Sequence, residues 1–197
     1  MNFSGHAFLA RNHPHLIAGN FAGDSFKGNL DKFDHLPKNI IDGVKLHRFI
    51  DDFTDHSSHI IKAGQLLQDQ GIKKIAFIAT DIILDFHLTS NWSDYSSTSY
   101  EDFVQLVYDH TDPYLEELDD EFNFLYSRLK KYGWMLDYTS EEGIQKILRQ
   151  FSKRIRFEND LDKCFAIYKS DQKTFDQHFK NFLVDIEAAS IEFISAL

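Results

Sequence analysis

Two short stretches of this chain place acids and histidines four residues apart in otherwise apolar surroundings. They are His47-Arg48-Phe49-Ile50-Asp51-Asp52-Phe53-Thr54-Asp55 and Asp81-Ile82-Ile83-Leu84-Asp85-Phe86-His87. On a helix that spacing stacks side chains on one face, so His47, Asp51 and Asp55 make one polar stripe and Asp81 with Asp85 a second. Asp81 and Asp85 also sit among Ile78, Ile82, Ile83, Leu84 and Leu88. Carboxylates that converge in such a setting must be protonated, matched by Arg or Lys, or bound to a cation, because unpaired buried charge is costly. The sharp expectation is a metal site. The plainer readings are a buried ion pair with Arg48 for the second stripe and a hydrogen-bonded core histidine for His47.

The elements that must position these residues are helices. The chain has 197 residues, 43% hydrophobic and 26% charged, which suits one globular domain over residues 1–197 with a large core. Nineteen Phe against nine Gly and three Pro leave few tight turns, and the class expected is an all-α bundle of long helices. A formal net charge of -10 argues against general nucleic-acid binding. The single Cys164 excludes an internal disulfide and a cysteine-rich zinc site, and its neighbours mark an ordinary core position. No apolar run approaches bilayer length and the first residues lack a secretory pattern, so a cytoplasmic address is expected, with no membrane partner. The N-terminus is expected to belong to the fold, and the oligomeric state is not legible.

Along the chain, a helix is expected from about Pro14 to Lys27, ended by Gly28. A long one is expected from Asn39 to Gln70, stopped by Gly71. Lys73 to Trp92 is apolar on nearly every side and is expected to be the most buried element. Thr98 with Glu101, and Thr139 with Glu142, resemble capping boxes for two further helices. Pro113 is expected to open a helix that breaks around Lys130 to Gly133. From Asn159 to Leu197 the pattern is helical with an interruption near Ser170-Asp171, and Phe175, Phe179, Phe182, Leu183, Ile186 and Ile191 are expected to face inward.

Four motifs in order carry a resemblance to a known family. Met1-Asn2-Phe3 with His6 and Leu9-Ala10 opens the chain. Gly19-Asn20-Phe21-Ala22-Gly23-Asp24 with Lys27-Gly28-Asn29 follows. Gly43 to Asp51 continuing to His56 is the third, and Asp81 to Asp85 with Leu88 and Trp92 the fourth. In these the chain resembles the acyl carrier protein phosphodiesterases, or holo-acyl-carrier-protein hydrolases. The resemblance implies an all-helical fold distantly like the HD-type metal phosphohydrolases, with manganese as cofactor, or Fe2+ or Mg2+. It implies hydrolysis of the phosphodiester joining 4′-phosphopantetheine to a serine of holo-acyl carrier protein. Where the family's fourth motif has a His after its second Asp, this chain has Phe86, with His87 one residue later. A helix turns about 100° per residue, so His87 points elsewhere than a side chain at 86.

Such a diester resists hydrolysis unless a cation neutralises its oxygens and activates water. The resemblance then gathers His6, Asp24, His47, Asp51, Asp81 and Asp85 into one pocket, with His6, Asp24, His47 and Asp81 as metal ligands. Asp51 and Asp85 are expected to do acid–base work and Arg48 to grip the phosphate. Asn20, Asp55 and His87 are expected to orient ligands from behind. Acyl carrier proteins are acidic, so a chain this negative needs a local basic surface to meet one; Arg149, Lys153, Arg154 and Arg156 are the densest cluster, with Arg128, Lys130 and Lys131 next. Two other readings stay open. One is an HD-like phosphohydrolase of a nucleotide or other small phosphoester. The other, kept alive by Phe86, is a non-catalytic helical binding protein.

Overall fold

Apolar residues at three- and four-residue steps give helices throughout the computed structural model, which describes residues 1–197 and contains no strand. Eleven α-helices run in order: α1 Phe3–Leu9, α2 Ile17–Phe21, α3 Lys38–His56, α4 Ser58–Asp69, α5 Ala76–Ser90, α6 Tyr100–Thr111, α7 Asp120–Tyr132, α8 Trp134–Asp137, α9 Glu141–Arg154, α10 Cys164–Ser170 and α11 Gln172–Ser195. The all-α expectation holds. Their inward faces merge into a single apolar cluster of 49 buried residues that includes Cys164, and α5 is buried along most of its length.

Several boundaries differ from the sequence reading, each for a local reason. The expected helix from Pro14 to Lys27 is a 3-10 turn at Pro14–Leu16, the short α2, and a second 3-10 turn at Gly23–Ser25. The long helix from Asn39 is split at Ser57, whose extended backbone and side-chain bond to the His59 amide start α4 afresh. The caps of α6 and α9 fall one residue later than expected, on Ser99 and Ser140. The hydroxyls of Thr98 and Thr139 are engaged elsewhere, with Ser96 and the Leu136 carbonyl. Pro113 opens only a 3-10 turn; α7 begins at Asp120, where the Asp119 carboxylate accepts from the Phe122 amide. The break at Ser170-Asp171 is present between α10 and α11. Of the residues expected inside on α11 all are buried except Ile191, which is 58% exposed, while Ser190 beside it is buried and Phe193 stacks on Phe49.

Two features bear directly on the site. Helix α2 lies hard against α3, and a Cβ at Gly43 would come within 2.5 Å of the Leu16 carbonyl oxygen and 2.7 Å of the Asn20 amide, so only glycine permits the approach. That contact sets Asn20 beside His47. The other feature is α1, a helix the sequence reading did not delimit, which lies against α5 and α2 and carries His6.

The buried polar residues of α5 split between separate networks. His87 is fully buried, with Nδ1 2.8 Å from Asp176 Oδ1 and Nε2 3.1 Å from the Tyr95 hydroxyl, and Tyr168 also donates to Asp176. Burial lowers the His87 pKa below its ordinary 6.5 despite the Asp176 carboxylate. Below about pH 6.5 the unfolded chain therefore takes up a proton that the folded chain refuses, and stability falls as pH is lowered until the folded pKa is reached. His87→Gln should flatten that slope. Urea midpoints for both proteins at about pH 7.5 and about pH 5.5 check this, and equal slopes would refute it.

Candidate functional site

Three elements converge on one spot. From α1, His6 Nε2 lies 3.1 Å from Asp51 Oδ1; from α3, His47 Nε2 lies 3.1 Å from Asp51 Oδ2. The two imidazoles stack with centroids 4.0 Å apart. Asp24, on the turn after α2, brings Oδ1 to 3.5 Å from His47 Nε2. Both rings are buried, whereas Asp51 is 44% and Asp24 94% exposed at the side chain, so the cluster has a buried nitrogen floor and a carboxylate rim open to solvent. At Gly23 a Cβ would sit 2.1 Å from the His47 ring, which is why the turn can bring Asp24 so close.

Asn20 fixes both histidines. His47 Nδ1 is 2.7 Å from the Asn20 carbonyl oxygen, which only accepts, so Nδ1 carries the proton and Nε2 faces the carboxylates. The Asn20 amide nitrogen donates to the His6 carbonyl, which turns its Oδ1 towards His6 Nδ1 at 3.4 Å. Both Nε2 atoms are thus aimed at Asp51. His47 Nε2 is a buried polar atom with no well-formed hydrogen bond, because its carboxylate neighbours approach at distance without alignment. His6, His47 and Asp51 each offer a donor atom within 4.8 Å of the others. Two imidazoles and one or two carboxylates suit a borderline divalent ion, and an orphaned buried nitrogen is what such an ion would satisfy.

The electrostatics agree with the geometry. Burial, and then the neighbouring His47, lower His6 to about 4. Burial also disfavours charge on His47, but its contacts with Asp24 and Asp51 outweigh that and raise it to about 9. The stacked pair therefore carries a single positive charge, on His47, and a cation bound at Nε2 would take the place of that proton. Contact with His47 lowers Asp24, and although burial opposes ionisation of Asp51, the two histidines hold it far below the usual carboxylate range.

The other site residues expected from sequence make contacts of their own outside this group of four. Asp85 is fully buried and accepts from the backbone amides of Asn2, Ser4 and Gly5 at 2.7–3.3 Å, which makes it an anchor for the N-terminus of α1 rather than an acid or base at the cluster. Asp81 Oδ1 lies 2.8 Å from the Met1 amine, and its carboxylate is near enough to Asp51 for the two to repel. Arg48 donates from Nη2 to the Phe26 and Gly28 carbonyls and so pins the loop after Asp24 rather than reaching into the cluster. Asp55 is exposed, and His87 belongs to the Asp176 network. Phe86 packs edge-on to Phe165 and Tyr168, outside the cluster. Of the six residues that the resemblance gathers into one pocket, His6, Asp24, His47 and Asp51 lie together.

Arg149, Lys153, Arg154 and Arg156 are all exposed. Arg154 lies over the Trp134 ring at 5.5 Å, Trp134 stacks with Tyr132, and Arg128 sits over both Tyr132 and Phe124. The two basic groups expected from sequence are thereby joined by one ladder of cations and aromatic rings.

An all-helical protein whose first three helices and the turn after the second bring two oriented imidazoles and two carboxylates to a half-open spot presents the donor set of a hydrolytic enzyme. The chain belongs to the acyl carrier protein phosphodiesterase family, whose model matches residues 1–186. It is similar to the acyl carrier protein phosphodiesterase of Photorhabdus laumondii subsp. laumondii, with 26% identity over 183 residues, 92% of this chain and 91% of that protein. It is also similar to that of Klebsiella pneumoniae strain 342, 29% identical over 155 residues covering 78% of this chain and 79% of the relative. No solved structure matches it. No helix is long and apolar enough to cross a membrane.

Proposed function

We propose that this protein is a divalent-metal-dependent phosphodiesterase that releases 4′-phosphopantetheine from holo-acyl carrier protein and leaves the apo carrier. The observation that carries the reading is the pair of Nε2 atoms, one of them orphaned, facing Asp51 and Asp24. His6, His47, Asp51 and Asp24 would hold the ion, and Mn2+ suits them, with Fe2+ next and Mg2+ less suited because it prefers oxygen ligands. When bound, such an ion supplies a Lewis acid for the phosphoryl oxygens and a water of lowered pKa. Water oxygen adds to phosphorus, the bond from phosphorus to the serine oxygen breaks, and that oxygen leaves with a proton.

This chain's own residues do the positioning. Asn20 sets the tautomer and direction of both histidines, Arg48 holds the loop that carries Asp24, and Asp85 holds the helix that carries His6. The cation and aromatic ladder supports an acidic carrier as partner, since it offers positive charge and exposed rings on a chain of net charge -10. In this reading the reaction takes place in the cytoplasm, within fatty acid metabolism, without nucleic-acid or membrane partners.

The test is intact-mass analysis of holo-acyl carrier protein incubated with the protein and manganese, with Asp24→Ala in parallel. Loss of the phosphopantetheine mass with wild type alone is expected. An unchanged holo mass while the protein binds manganese would overturn the carrier-protein reading.

A further inference from the structure

We propose that the pocket beside Asp24 seats the pantetheine arm of the substrate, and that Leu125 on α7 determines its fit; the proposal rests on the carrier-protein reading above. The pocket has a volume of about 310 Å³ and is walled by Phe3, Phe21, Ala22, Phe122 and Leu125, with Asp24 at its edge.

Its walls and the cluster are built on the same elements. Phe3 lies one turn before His6 on α1, and Phe21 and Ala22 immediately precede the turn that presents Asp24. A phosphoryl group at the carboxylate rim therefore meets this pocket at Asp24, which belongs to both. Phe21 meets Phe122 edge-on at 6.1 Å and Tyr126 at 6.2 Å, so the floor is set before any ligand arrives. Helix α7 supplies the far wall through Phe122 and the half-buried Leu125, although it contributes nothing to the cluster itself.

The chemistry of the arm matches the kinds of residue in that lining. Next to the phosphate comes a quaternary carbon with two methyl groups, which needs an apolar wall. Beyond it come a hydroxyl and two amides, which need donors and acceptors, and Ser25, Lys27 and Glu121 supply them at the rim. The arm carries no charge of its own past the phosphate, so Lys27 and Glu121 would meet it as hydrogen-bond donor and acceptor and not as ion-pair partners. Binding of this remote, unreacting portion favours a diester that carries the arm over one that does not.

The experiment has two arms. Saturation-transfer NMR with free pantetheine should show transfer to its methyl protons with wild type, and loss of it with Leu125→Arg, which fills the pocket with a long cationic side chain. Kinetics should show kcat/KM for holo-acyl carrier protein lowered about tenfold or more in Leu125→Arg and to a smaller extent in Leu125→Ala. Hydrolysis of bis(p-nitrophenyl) phosphate, which lacks the arm, should change by less than about twofold in both. Leu125→Ala covers the case in which the arginine variant fails to fold. Equal losses on both substrates, or no transfer to pantetheine with wild type, would overturn the pocket. If wild type hydrolyses the small diester but leaves the holo carrier intact, the carrier-protein reading fails while pantetheine transfer still decides the pocket.

Discussion

Asp51→Ala should lower phosphodiester hydrolysis roughly 1000-fold, a loss of about 4 kcal/mol in transition-state stabilisation. The side chain lies 3.1 Å from both His6 Nε2 and His47 Nε2, so its removal takes away the proposed ligand that faces the two rings together. Manganese content should fall with the activity, since two stacked imidazoles without the bridging carboxylate offer an incomplete donor set. The fold should survive, because Asp51 is 44% exposed at the side chain and its loss opens no cavity in the core. Measured kcat/KM on holo-acyl carrier protein, bound manganese by elemental analysis, and the urea midpoint together check the prediction. Activity within tenfold of wild type in a manganese-free variant would remove Asp51 and the cluster from the chemistry.

Asp85→Ala should instead act on stability, with a loss of about 3–5 kcal/mol from leaving buried amide donors without an acceptor. The carboxylate takes bonds from Asn2 at 3.2 Å, Ser4 at 2.7 Å and Gly5 at 3.3 Å, all at the free end of α1. Its burial drives the pKa up to about 7 in spite of the nearby Met1 amine and these donors, so the group works near the boundary between its charged and neutral forms. Asp85→Asn keeps an acceptor oxygen in the same place and should recover more than half of the loss. The urea midpoints of the three proteins give the comparison. An alanine variant as stable as wild type would show that α1 is held by its apolar face alone. Activity should fall in Asp85→Ala through displacement of His6, and it should return in step with stability in Asp85→Asn; low activity in a fully stable asparagine variant would point to a direct chemical role.

Much of the site was legible because its signals are local. His47 and Asp51 share a face of one helix by spacing alone, and a buried face that carries them needs a counterpart whatever the rest of the chain does. The choice of helix over strand, the burial of α5, Cys164 and most of α11, and the break at Ser170-Asp171 follow from the same periodicity. His6, Asp24 and Asn20 were reached through likeness to a family's motifs, and their spacing gives no sign that they would meet His47.

Only the tertiary structure shows which groups the acidic residues meet. Asp81 and Asp85 have a spacing as suggestive as that of His47 and Asp51, yet α5 turns them to the first residues of the chain, where an amine and a row of unpaired amides satisfy them. Arg48 and His87 were likewise drawn to partners far away in sequence, the Phe26 and Gly28 carbonyls and Asp176. Periodicity reports which residues share a face, because that is fixed by the helix itself. Which neighbour meets that face depends on how helices cross, and here the crossing was decided by a glycine contact between α2 and α3 and by a carboxylate capping α1, both of which join distant parts of the chain.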